Sequence, residues 1–245
     1  MWPVVENSSS PGQVVIDERH RGPARSGNGG YVSGLVAVPL VGGSGEAARV
    51  TLHSPPPLDR LLTLEAEGAT MRLRDGDSVV ATAESSDDAD LITIDPVSLD
   101  EATAASADYP GHTHHPFPTC FACGTGNPGG LRIYPGAVAP AGSHTRVAAP
   151  WTPPGDVDEA VVWAALDCVG GWAGDLTERL MVLGRMTAAV AYVPEPGERC
   201  VAMGQAVGTE GRRTFTRASI QTETGRLVGR AAHVWVAVDP ARFNL

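Results

Sequence analysis

Asp156-Val157-Asp158-Glu159-Ala160-Val161-Val162-Trp163-Ala164-Ala165-Leu166-Asp167-Cys168-Val169-Gly170-Gly171-Trp172 is the stretch on which the fold turns. Acidic residues open it, as the positive end of a helix dipole favours, and the apolar remainder predicts a helix to about Trp172. Four strand candidates follow, near 182–193, 199–209, 213–222 and 227–238. The last alternates, with Val228, Ala232, Val234, Val236 and Val238 at even spacing, the pattern of a half-buried strand. Upstream, Leu131-Arg132-Ile133-Tyr134 and Thr145-Arg146-Val147 read as two further strands.

The first half repeats this order. Gln13-Val14-Val15-Ile16-Asp17 predicts a strand, and Gly27-Asn28-Gly29-Gly30 precedes an apolar stretch of helical length, Tyr31 to Val41. Strand-like runs near 48–54, 61–67, 70–74 and 78–84 follow, divided by Pro or Gly turns. Short matches accompany the order. Arg49-Val50-Thr51 parallels Arg185-Met186-Thr187, each opening the strand after the helix, and Pro55–Arg60 parallels Pro194–Arg199. Together they predict an internal duplication.

Between the halves, Glu84, Asp87, Asp88, Asp90, Asp95, Asp100 and Glu101 run without a basic residue, followed by Pro/His-rich and Gly-rich segments. Such composition predicts a solvated connector. The expected organisation is an N-terminal repeat over 1–84, a linker over 85–128 and a C-terminal repeat over 129–245.

The 18 basic residues of the 245-residue chain are all Arg, against 28 acidic ones, for a net charge of -10. That balance argues against nucleic-acid and anionic-membrane partners. Without a lysine, Schiff-base chemistry, lysine-anchored pyridoxal phosphate and P-loop phosphate binding are excluded. The longest apolar run, Val161–Leu166, is cut by Asp167, far short of the roughly 20 residues a membrane span needs. Met1 to Pro11 lacks the regions of a signal peptide, and four cysteines do not make a disulfide framework. The expectation is a cytoplasmic protein with reduced thiols.

One long helix followed by antiparallel strands resembles the hotdog fold, an α+β architecture in which a curved sheet wraps a helix. Two tandem copies resemble a double-hotdog chain that imitates the usual hotdog dimer. Phe117-Pro118-Thr119-Cys120-Phe121-Ala122-Cys123-Gly124, with Asn127-Pro128 and Gly130-Leu131, is similar to the C-F-x-C-G…N-P…G-L signature of many thioesterase-superfamily proteins. The phenylacetate-type thioesterases of that superfamily carry H-G-G and an acid seven residues after the second Gly. Here the pattern is split. Asn28-Gly29-Gly30 keeps the glycines, with Ala37 at the acid position, whereas Asp158-Glu159-Ala160 lacks them but is followed by Asp167. The resemblance implies composite sites, the helix start of one repeat facing the acid of the other. It therefore points to one site, Asn28, Gly29, Gly30 and Asp167, cleaving an acyl thioester such as acyl-CoA with water and no cofactor. Main-chain amides at a helix start polarise a carbonyl, and a carboxylate on an apolar helix face activates water or attacks. The alternatives are a non-catalytic hotdog module that binds acyl thioesters, favoured by the His-to-Asn departure, and a dehydratase, whose His/Asp pairing is absent. A homodimer of double-hotdog chains stays open.

Other constellations carry less. Gly124-Thr125-Gly126-Asn127-Pro128-Gly129 matches G-x-G-x-x-G but follows no strand, and no acid lies about 20 positions on, so dinucleotide binding is rejected. Cys120 and Cys123 with His112, His114 and His115 offer ligands for zinc, yet no second pair stands at zinc-finger spacing. The pair is expected to be a hinge element without a catalytic metal. Cys168, on a different helix face from Asp167, reads as a buried thiol. His53, His233, Trp151, Trp163 and Trp172 read as packing residues, and Arg212 and Arg213 as a solvated turn.

Overall fold

Asp158 caps the expected helix, accepting the Val161 amide at 2.9 Å. Helix α3 (Glu159–Ala173) follows in the computed structural model, which describes residues 12–43, 45–87 and 91–243. Met1–Pro11 and the acidic Asp88 and Asp90 lie outside the described residues. In the first repeat, β1 (Gly12–Val15) leads to α1 (Gly29–Val41), capped by Asn28, then to β2 (Ala47–Leu52), β3 (Leu61–Glu67), β4 (Thr70–Asp75) and β5 (Ser78–Ser86). After α2 (Leu99–Ala107), the second repeat adds β6 (Gly136–Ala141) and β7 (His144–Trp151) before α3, then β8 (Met181–Val190), β9 (Cys200–Glu210), β10 (Arg213–Thr222) and β11 (Leu227–Ala237).

One eleven-stranded sheet runs β1-β3-β4-β5-β2-β8-β11-β10-β9-β7-β6. The order reads alike from its centre outward in both directions, with β6 as an extra edge strand. That is the double hotdog, with the repeats joined edge to edge. The central seam is β2 against β8, antiparallel, with Arg49 opposite Thr187, Val50 opposite Met186 and Thr51 opposite Arg185. The short sequence match between the repeats is thus one tripeptide paired with its own copy across a pseudo-twofold axis. Arg185 Nε adds a bond to Thr51 Oγ1 at 3.2 Å.

The two helices cross antiparallel in the concavity of the sheet. A Cβ on Gly30 would sit 3.0 Å from Ala164 Cα, and one on Gly34 would sit 2.6 Å from Ala160 Cα. These contacts are images of each other when residue 30 corresponds to 160 and 34 to 164. The same correspondence makes Ala37 the counterpart of Asp167 in the first repeat. Every residue from Ala160 to Ala173 is buried, which explains an apolar helix without a polar stripe. Among the described residues no helix is long and apolar enough to cross a membrane.

Three sequence expectations change. The acidic connector is not simply solvated. Leu91 packs on Ala47 and Ala189, and Ile94 and Val97, with Ala102 of α2, pack on Ala148, Val201 and Met203, on the face of the sheet away from α1 and α3. Ser98 caps α2 by accepting the Glu101 amide at 3.2 Å, and Ile94 N donates to Ser219 Oγ at 3.0 Å. Leu131–Tyr134 lies outside the sheet, with Arg132 in the left-handed region (φ 56°) and the Leu131 and Ile133 amides donating to Phe121 O and Ala122 O instead. On β11 the core side is Ala231, His233 and Trp235, while the evenly spaced Ala232, Val234 and Val236 are half-buried.

His233 is buried against Gly170 of α3, with Nδ1 3.2 Å from Thr216 Oγ1, which also accepts Trp235 Nε1 at 2.9 Å. The other ring nitrogen, Nε2, has no partner. Burial lowers the His233 pKa to about 3, so the unfolded chain takes up a proton there first. His233 by itself therefore removes stability as pH drops below about 6.5, by up to roughly 1.4 kcal/mol per unit; buried His20 adds to this loss and the raised carboxyl of Asp167 opposes it. Urea titrations from pH 7 to 5 should show wild type losing stability toward acid more steeply than His233→Gln, by about this slope. An equal slope in the variant would assign the acid sensitivity elsewhere.

Candidate functional site

The segment over Phe117–Leu131 opens the second repeat but docks on the first. Phe121 N donates to Arg21 O at 2.7 Å, and Asn127 Nδ2 bonds Arg19 O at 3.0 Å and Thr119 O at 3.1 Å. The Phe121 ring stands edge-on to His20, itself stacked on Tyr31 of α1 at 3.9 Å. These contacts hold Cys120 and Cys123 beside the start of α1.

There the four residues singled out from the sequence meet. Asn28 Oδ1 caps α1 through the Tyr31 amide at 2.9 Å, and its Nδ2 points at Cys120 Sγ and Cys168 Sγ, each at 3.6 Å. Gly30 N donates to Asp167 Oδ2 at 2.9 Å across the helix crossing. Asp167 is 3% exposed, and its Oδ1 has no hydrogen-bond partner. Burial pushes this carboxyl up to about 8, against the stabilising Gly30 amide. A cavity of about 270 Å³ opens beside these groups, walled by both repeats: Asn28 and Gly29, His53–Pro56, Asp167 and Cys168, Met181–Gly184, and Trp235.

Two details depart from the sequence reading. The Gly30 amide, expected to face an oxyanion, is spent on Asp167, and Gly29 supplies the one first-turn amide without a partner among the described residues. Cys168, assigned to another helix face, lines the same cavity as Asp167 and lies 3.5 Å from Cys120 Sγ. Thiol hydrogens from Cys123 and Cys168 hold Cys120 well below the usual thiol range, while Cys123 and Cys168 are pushed up. Sequence spacing paired Cys120 and Cys123 with the nearby histidines instead. His115 spends its nitrogens on Cys123 O and the Phe117 amide, and His112 and His114 are exposed. His53 lines the cavity and contacts Thr82 Oγ1 at 3.0 Å. Arg212 clamps Ala237 O at 2.9 Å.

No protein-family model and no curated protein matches the chain. Solved structures do. A conserved protein of unknown function with hot dog fold from Alicyclobacillus acidocaldarius aligns over 95% of this chain and 97% of its own, with TM-score 0.60 at 11% identity. The TesB protein of Mycobacterium avium subsp. paratuberculosis covers 96% and 95%, with TM-score 0.62 at 13% identity. An acyl-CoA thioesterase II, TesB2, from Mycobacterium marinum covers 97% and 96%, with TM-score 0.58 at 10% identity. Identities this low carry the fold alone, and over nearly its whole length that fold is the tandem double hotdog.

Proposed function

We propose that this chain hydrolyses an acyl thioester of the acyl-CoA type at the junction of its two repeats. The observation that carries the reading is Asp167: a buried carboxylate, held by the Gly30 amide, with one oxygen unpartnered at a cavity wall. In this mechanism Asp167 takes a proton from water as the water oxygen attacks the thioester carbonyl carbon. The Gly29 amide, at the positive end of α1, holds the oxyanion that forms. Collapse breaks the C–S bond, and the departing thiolate takes back the proton held by Asp167, leaving as the free thiol and restoring the carboxylate. The cavity, near the roughly 300 Å³ lower bound of small-molecule sites, suits an acyl group and the thioester rather than the whole nucleotide carrier. A cytoplasmic setting, with the four cysteines as free thiols, belongs to the same reading.

A panel of acyl-CoA thioesters, followed by thiol release, tests it. The expected result is saturable turnover of at least one member. Saturable binding without thiol release across the panel would replace hydrolysis by the binding-module reading, which the spent Asn28 side chain favours.

A further inference from the structure

Cys120, Cys123 and Cys168 bring their sulfurs within 4.8 Å of one another, all three buried and all lining the cavity. These are three of only four cysteines in the chain. Two come from a tight turn and the third from the middle of α3. The turn has a definite construction. The main-chain amides of Ala122 and Cys123 help hold the Cys120 thiol low, and Gly124 N closes the turn onto Cys120 O at 2.9 Å. Only glycine fits at 124, since a Cβ there would lie 2.4 Å from Cys120 N. Asn28 then aims Nδ2 at Cys120 and Cys168, each at 3.6 Å, with its amide orientation fixed by the capping bond through Oδ1. Donors directed at sulfur from two main-chain amides and a side-chain amide are what a cluster of thiolates needs when it is buried.

We propose that Cys120, Cys123 and Cys168 bind a borderline-soft divalent cation, zinc foremost, whose fourth position is left to a ligand from the cavity. Sulfurs bound tetrahedrally at about 2.3 Å from zinc stand about 3.8 Å apart. The separation of Cys120 and Cys168, 3.5 Å, already approaches that spacing. Among the described residues no fourth Cys, His, Asp or Glu joins the three within the same radius. The site is therefore open rather than closed, as in zinc centres that keep one position for water or substrate. Thiolate ligands select zinc-type ions over magnesium or calcium. The cluster stands independently of hydrolysis, and it reverses the expectation of a metal-free hinge because the third sulfur arrives from 45 residues away in sequence.

The full-length protein, purified under reducing conditions and exposed to zinc sulfate, should retain about one zinc per chain after gel filtration. Cobalt(II) should give the thiolate-to-metal charge-transfer absorption and the intense visible bands of a tetrahedral site. Cys168→Ser should weaken zinc binding at least about a hundredfold in competition with a chromophoric chelator. Cys200→Ser, on β9 outside the cluster, should leave it unchanged. Should Cys168→Ser fail to fold, the wild-type cobalt spectrum decides alone. Retention below about a tenth of an equivalent, or a cobalt spectrum without thiolate charge transfer, overturns the proposal.

Discussion

Asp167→Asn should lower kcat for the preferred acyl-CoA by about a hundredfold or more, equivalent to about 2.7 kcal/mol of transition-state stabilisation. The fold should survive. An asparagine Oδ1 accepts the Gly30 amide as the carboxylate does, and the substitution changes no volume in a side chain that is 3% exposed. Because burial raises the carboxyl to about 8, the native group is largely protonated near neutrality, so Asn replaces a neutral side chain by a neutral one. Only the ionised form, which grows as pH rises toward about 8, takes a proton from water, so wild-type turnover should climb toward that pH, and Asn has no such form. KM should change little, since the group acts on water rather than on the acyl chain. A melting temperature close to wild type with unchanged turnover would show that Asp167 is a structural bond between helices and not a base.

Much of the fold was legible because the repeat order survives in short, well-separated elements. Asn28 and Asp158 are cap residues standing where helices begin, and Pro or Gly punctuates the strands. The misreadings have physical causes. Ser98 with Glu101 has the spacing of a helix cap, and it marked α2 inside a stretch read as linker from its charge alone. Asp87, Asp95, Asp100 and Glu101 face solvent while Ile94, Val97 and Ala102 cover the sheet. On β11 the alternation was real but its faces were inverted from Ala232 onward, Val228 alone lying in the core, because the core side includes a polar residue, His233, bonded through Nδ1 to Thr216. Leu131–Tyr134 has strand composition, yet its amides are taken by the signature turn before a neighbouring strand can pair with them.

The site was legible in its residues and not in its wiring. Complementary loss between the repeats singled out Asn28, Gly29, Gly30 and Asp167, which the structure gathers at one cavity wall and one helix crossing. That Gly30 donates to Asp167, leaving Gly29 for a ligand, depends on how the two helices cross, and spacing along one chain cannot specify a crossing. Cys168 was invisible for the same reason. Its neighbours in sequence are Asp167 and Val169, but its neighbours in space are Cys120 and Asn28.

Gly30→Ala should be among the most damaging single-methyl additions in the protein. The new Cβ would lie 2.3 Å from Asp167 Cβ and 2.6 Å from Trp163 O, the second a main-chain atom that no rotamer change can move. The helices must separate, at a cost at or above the upper end of the roughly 1–3 kcal/mol usual for overpacking. For a chain of this length that corresponds to a fall of about 6–12 °C in Tm. Turnover should fall as well, because a shift of about 1 Å in the groups that hold the reacting atoms can cost a hundredfold. Gly34→Ala separates the two effects. Its Cβ would meet Ala160 Cα at 2.6 Å, one turn further along the crossing and away from Asp167, so it should destabilise comparably. Gly155→Ala, where a Cβ meets nothing within 4 Å, should leave both Tm and turnover near wild type. If Gly30→Ala melted within about 2 °C of wild type, less than 1 kcal/mol would be at stake. The close crossing of α1 over α3 would then be wrong, and with it the contact that sets Asp167 against the start of the first helix.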